Sequence, residues 1–326
     1  VLFRSCVLSS ELIAIWEGAK LDKTQAAKVS GIDHIYWHQD FDRVMKEFFF
    51  QAENIYLNSN EHTRSSILTQ TAQDRFNKTI MNKYPLHKTE RSAPIMQRIR
   101  AVKSNQEIEL IQQACDITEK GFRRLLQFVK PGVWEYEIEA ELIHEFVKNR
   151  SQGFAYGPII ASGKNACVLH YVENNRQCKD GDVILLDVAA EYANYASDMT
   201  RAIPVNGKFT KRQKEVYNAV LRVHKAATKL LVPGQTFDKY NKLIGELMTE
   251  ELLGLGLIKK EEVKNQDPAR PAFKKYFMHG TAIFWAWMCM MLVSSTSPCK
   301  QAWCLPLSPA YISLKRTWAY ASRTIS

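Results

Sequence analysis

Four residues in this chain have the types and spacing to do chemistry: Asp187 and Asp198, with His170 upstream and His279 downstream. Val183–Ala190 reads as a β-rich apolar strand, Glu191–Asn194 as a turn and Tyr195–Val205 as a second strand. Folded about the point between Tyr192 and Ala193, such a hairpin sets Asp187 directly opposite Asp198. Opposed residues in an antiparallel pair hold their Cβ atoms roughly 4.5–5.5 Å apart, and two like charges there are destabilising. One divalent cation, or two sharing a carboxylate, would supply the missing positive charge. A polar surface hairpin with two solvated aspartates fits the same spacing. The run Ile184-Leu185-Leu186 ahead of Asp187 favours the metal, because a solvated carboxylate is not expected at the end of a buried stretch. A lone histidine is usually structural. His170, in Leu169-His170-Tyr171, and His279, in Phe277-Met278-His279-Gly280-Thr281, flank an acid pair and so suit substrate contact or proton handling.

The elements that must position these residues are helices with clear starts and stops. Ser104 with Glu107 and Thr210 with Gln213 form capping boxes. Helices follow to Val129 and to Leu231, and stop at Pro131-Gly132 and Pro233-Gly234. Second helices are predicted over Glu135–Asn149 and Phe237–Leu253. The repeated helix–Pro-Gly–helix unit suggests two similar halves around a shared sheet. Strands are predicted over Pro158–Ser162 and Val168–Val172, before the hairpin. Upstream, Asp42–Ala52 reads as a helix, Asn54–Leu57 as a strand, Gly31-Ile32-Asp33 as a turn and Arg91–Lys103 as a linker. His34, His38, His62 and His87 read as structural or surface residues.

The 326 residues allow two domains. A formal net charge of +10 raises nucleic acid as a partner, but the basic residues are scattered over helical segments and read as solvated faces. Seven cysteines without a C-x-x-C pair point to reduced thiols and a cytoplasmic setting. Ile283–Val293 is too short to span a bilayer, so no membrane partner is expected. Val1–Ser5 (VLFRS) matches the translated end of a common sequencing adapter, and the start reads as a fragment end.

The runs GPIIASGKNACVLHY, LLDVAAEYANYASDMTRAIPVNGKF and FMHGT resemble the pita-bread metallopeptidases, most closely the Xaa-Pro aminopeptidases (aminopeptidase P), from about Ile95 to Thr281. The resemblance implies an α+β fold: a pita-bread catalytic domain over 91–281, with two related α/β halves around a curved sheet. A partial creatinase/aminopeptidase-P-type domain would precede it over 1–90. It implies two divalent cations, typically Mn2+, held by five protein ligands, with Asp187 on one metal and Asp198 bridging both. His170 and His279 match substrate-side histidines. The substrate would be a peptide with proline second, and a homo-oligomer is left open. A prolidase, a creatinase-like hydrolase and a non-catalytic pita-bread binding protein are the alternatives.

The pattern breaks after Thr281. The family's metal-binding histidine lies four positions after His279, where this chain has Ile283, and no acidic residue follows Asp267. Residues 282–326 also hold four of the seven tryptophans and show no helical or strand period. Read from the third base of the Ala282 codon, the bases beneath Ile283–Val293 permit HFLGLDVHDVG. The same shift permits FTVEPGIY beneath Cys304–Tyr311 and GIRLEND beneath Trp318–Ile325. Those segments return the missing histidine and both glutamates. The tail over 282–326 therefore reads as out of frame, and the chain as it stands is expected to have little or no activity.

Overall fold

The computed structural model describes residues 3–6, 10–61 and 68–279. Within it the chain divides into two compact units, one ending at Ile95 and the other starting at Met96. No described helix is long and apolar enough to cross a membrane.

The first unit contains β1 (Phe3–Cys6), α1 (Glu11–Glu17), α2 (Lys23–Ser30), β2 (His34–Trp37), α3 (Phe41–Gln51), β3 (Asn54–Leu57), α4 (Ala72–Lys83) and β4 (Lys88–Arg91). β1 pairs with β2 and β3 with β4, both in parallel. Gly31 ends α2 at φ 66°, the left-handed position that a side chain would strain. Phe49, Ile55, Ile80 and Tyr84 form a small core. His87 is structural: its Nε2 lies 2.6 Å from the Phe49 carbonyl, so that nitrogen donates. His62 lies outside the described residues. The boundary between the two units falls inside the segment Arg91–Lys103 expected as a linker, and that segment is helical, forming α5 (Ala93–Ala101).

The second unit begins with α6 (Asn105–Phe128) and α7 (Glu135–Lys148). The Ser104 box is formed in both directions, the Ser104 N–H donating to Glu107 Oε2 at 2.7 Å and the Glu107 N–H to Ser104 Oγ at 3.3 Å. The Thr210 box likewise opens α8 (Lys211–Leu230), which is followed by α9 (Phe237–Gly254) and the short α10 (Lys260–Lys264). α7 packs tightly on α6 at Gly121, where a Cβ would lie 2.8 Å from Phe146 Cε1 and 3.1 Å from Leu142 Cδ2. Both neighbours are fully buried. Gly121→Val should therefore cost about 1–3 kcal/mol through overpacking, seen as a lower urea midpoint at unchanged slope. An unchanged midpoint would mean that the two helices part freely.

β5 (Ile159–Ser162), β6 (Val183–Asp187) and β9 (Thr200–Pro204) form an antiparallel sheet in the order β5-β6-β9. Between β6 and β9 lies the two-residue ladder of β7 (Glu191–Tyr192) and β8 (Tyr195–Ala196). Every residue of β6 is buried. One core cluster joins α6 and α7 to this sheet through Ile117, Leu142, Phe146, Ile160, Ile184 and Leu186. A second packs α8 against α9 and draws only Val183 and Ala202 from the sheet. Cys115, Cys167 and Cys178 are buried and are not in disulfides, and burial pushes the Cys178 thiol up to about 11.

Two expectations fail here. Val168–Val172 is not a strand: the chain leaves β5 into a 3-10 turn over Gly163–Cys167 and then runs irregularly. The hairpin is also shorter in its strands and shifted in register. Its turn is Ala193-Asn194, with φ 49° and 67°, and Tyr192 faces Tyr195. Asp187 therefore pairs with Thr200 rather than with Asp198.

Candidate functional site

The two-residue register shift keeps both aspartates on one face, since only an odd slip would send one to the other side. Asp198 becomes a diagonal neighbour of Asp187 instead of its direct partner. The second strand is interrupted over Ser197–Met199 because a helix side chain enters the ladder. Thr118 of α6 accepts the Ala190 N–H at 2.8 Å and lies 2.6 Å from Ser197 Oγ. Ser197 in turn gives both its N–H and its hydroxyl to the Ala190 carbonyl. This buried linkage presents Asp198 beside the end of β6, where Asp187 is the last residue.

The two carboxylates are 2 % and 7 % exposed, which answers the choice between a solvated hairpin and a buried acid pair. They meet at Tyr156. Its hydroxyl donates to Asp187 Oδ1 at 2.8 Å and is shared with Asp198 Oδ1 at 3.2 Å. The Ala155 N–H bonds the Ala189 carbonyl, and Phe154 bridges Ala190. That register differs by two residues from the Ile159–Asp187 pairing of β5 with β6, and Tyr156 lies in the slack between the two. Its phenol is held well above the ordinary value, first by burial, then by the charges of Asp187 and Asp198 and the bond to Asp187; a hydrogen bond with the Met199 backbone opposes them. The proton therefore stays on Tyr156 and remains available to the carboxylates.

Two buried carboxylates turned to one hydroxyl offer oxygen donors of the kind a hard divalent cation takes. Among the described residues no three His, Cys, Asp or Glu side chains converge as a ligand set, so the aspartates are brought together without a further metal-binding group. His170 is exposed, in the turn after the Gly163–Cys167 segment. His279 is half-buried, its ring edge-on to Phe277 at 5.0 Å. Thr281 and Ile283 lie outside the described residues.

Sequence reasoning did not find Tyr156. Its only local signal is an aromatic in a glycine-bounded stretch just ahead of a strand. Nor did it find Glu135, whose carboxylate is fully buried at the start of α7. An acidic residue in a first helical turn looks like ordinary dipole compensation.

Comparison with known proteins places this geometry. The chain matches metallopeptidase family M24 over residues 109–285. It is 33% identical over 272 residues to the Xaa-Pro aminopeptidase of Haemophilus influenzae, covering 82% of this chain and 60% of that protein. It is 30% identical over 269 residues to the Xaa-Pro aminopeptidase of Escherichia coli, with the same two coverages. The chain thus spans about 60% of the length of these curated relatives. Among solved structures, E. coli aminopeptidase P in its low-pH form aligns with a TM-score of 0.78 at 26% identity, over 90% of this chain and 66% of that one. Aminopeptidase PepP of Pseudomonas aeruginosa aligns at 0.77 and 27% identity, over 88% and 64%. The α+β architecture is therefore the pita-bread fold that the resemblance implied. With its buried aspartate pair inside the matched residues, the chain belongs to metallopeptidase family M24, and within it is similar to the Xaa-Pro aminopeptidases.

Proposed function

We propose that this chain derives from a metal-dependent aminopeptidase that releases the N-terminal residue from peptides with proline in second position. The observation that carries the reading is the buried Asp187–Asp198 pair sharing the Tyr156 hydroxyl. Asp187 and Asp198 would hold divalent cations, with Mn2+ as the metal to test first. When bound, such ions lower the pKa of a water and polarise a carbonyl. The protein's own part is to hold Asp187 at the end of the fully buried strand β6 and Asp198 beside it in the interruption between β8 and β9. Tyr156 keeps its proton and orients the lone pairs of both acids. His170 and His279 take the substrate side, donating hydrogen bonds to the peptide and to the charge that develops on its carbonyl oxygen. Residues before about 90 belong to a partial N-terminal domain of the aminopeptidase-P type. Cys115, Cys167 and Cys178, buried and outside any disulfide, agree with a reducing, cytoplasmic setting.

The tail is the second half of the proposal. The family match stops at residue 285, just past the position where a single lost base would move the sequence out of frame. The chain as it stands has two of five ligands and should not turn over substrate. A chromogenic Xaa-Pro assay with added Mn2+ tests this, and robust turnover by the literal chain would overturn it.

Tyr156→Phe isolates the shared hydroxyl. Loss of a group that orients metal ligands typically weakens metal affinity by about 10–100-fold. Isothermal titration of Mn2+ into the frame-restored protein should show a drop of that size. Unchanged affinity would reduce Tyr156 to a packing residue.

A further inference from the structure

Glu135 is 0 % exposed, and a buried carboxylate is tolerated only when its lone pairs are taken up. Here four donors take them. Oε1 accepts the Ser162 N–H and the Ser162 hydroxyl, both at 2.7 Å. Oε2 accepts the Tyr171 hydroxyl at 2.7 Å and the Arg176 N–H at 2.9 Å. The three residues bound are the points that define one loop. Ser162 is where the chain leaves β5, Arg176 is where it returns beside the bridge between Trp134 and Gln177, and Tyr171 directly follows His170. The Arg176 guanidinium closes the same loop, donating to the Ser162 carbonyl at 2.7 Å and pairing with Asp182 at 3.2 Å. Between these anchors the chain has one short 3-10 turn and no strand ladder.

We infer that Glu135 is a positioning residue that staples the loop over 163–175 at its two ends and beside His170, and so sets where the imidazole stands. This explains why a loop that carries an exposed histidine needs a fully buried acid beneath it. It also explains the residue type. An aspartate is one methylene too short to reach both sides. A glutamine would set its NH2 against the backbone N–H of either Ser162 or Arg176, where two donors meet. The anchoring stands on the hydrogen bonds alone, and only its use in catalysis rests on the proposed role of His170.

Tyr171→Phe removes the Glu135 bond beside His170, together with the contacts of the same hydroxyl to the Asn175 side chain at 3.2 Å and the Asn175 N–H at 3.3 Å, and leaves the other three bonds on Glu135, so Glu135→Gln is the variant that isolates the carboxylate. Hydrogen exchange of the full chain, followed by mass spectrometry, should show amides over 162–176 exchanging about tenfold faster or more, the effect of losing a bond to a charged group. Peptides covering 183–204 should be unchanged. Glu135→Gln should give the same local pattern with a larger amplitude. Unaltered exchange over 162–176, or an equal rise across both regions, would overturn the inference. In the frame-restored enzyme Tyr171→Phe should lower kcat with little change in KM. A loosened loop with unaltered kcat would keep the anchor and remove His170 from the chemistry.

Discussion

Inserting one base ahead of the Ile283 codon should turn a chain without measurable turnover into an enzyme that cleaves Xaa-Pro peptides at a kcat of about 1–1000 s−1, the ordinary range for enzymes. The size of the effect follows from ligand count. Asp187 and Asp198 supply only carboxylate oxygens from one hairpin, and a two-metal site needs donors that close around both ions. The histidine straddling Ala282 and Ile283, and the glutamates straddling Leu307 and Ser308 and straddling Ser322 and Arg323, would complete that set. The helices point the same way. The cluster of α8 and α9 draws Val183 and Ala202 from the sheet, whereas that of α6 and α7 reaches all three strands through Ile160, Ile184, Leu186 and Ile203. The Tyr240 hydroxyl at the centre of the α8–α9 cluster is buried with no partner among the described residues, and burial holds its pKa far above the ordinary value. The restored reading should therefore raise stability together with activity. A chromogenic assay and a urea titration on the two proteins, with and without Mn2+, check both. Equal turnover by the two chains, or a restored chain that folds yet stays inactive, would sink the frame argument.

What the sequence made legible was local. The Ser104 and Thr210 boxes place the starts of α6 and α8 correctly because a cap is satisfied within four residues. Pro131-Gly132 and Pro233-Gly234 end their helices for equally local reasons, with both glycines at positive φ. The failures are long-range. Val168–Val172 has the apolar spacing of a strand, but the Tyr171 hydroxyl finds Glu135, 36 positions away in the chain, and no ladder forms. The hairpin centre was misplaced by one residue because Ala193-Asn194 lacks the glycine that usually marks a two-residue turn. Asn194 takes the left-handed conformation, and its N–H is held by the Glu191 carboxylate. The aspartates still share a face, because the resulting two-residue slip preserves parity. Tyr156 was illegible because its partners lie 31 and 42 positions on, and nothing local requires a phenol there.

The aspartate pair carries the second large prediction, and its sign depends on metal. Asp187 and Asp198 are like charges in a buried site, and both accept from the Tyr156 hydroxyl. At an effective dielectric near 20 two charges within contact of one hydroxyl repel by a few kcal/mol, on the order of 2–4 kcal/mol, and the hydroxyl offsets part of it. Asp198→Asn keeps the shape, removes one charge and supplies an N–H that Asp187 can accept. In the frame-restored protein with chelator present, the variant should be more stable than its parent by about 1–2 kcal/mol. With Mn2+ at a hundred times its dissociation constant the parent should gain about 2.7 kcal/mol, and the variant almost nothing. The order of the two proteins in a urea titration should thus reverse when metal is added. Asp187→Asn should behave in the same way. A variant less stable than its parent in chelator would mean that the pair is a structural element held by a cation of the protein itself. A variant that keeps the metal-dependent gain would remove Asp198 from the ligand set. The reversal is expected because two buried like charges repel one another in the absence of a cation and together attract one when it is supplied, so the feature that makes the apo hairpin costly is the one that makes it bind.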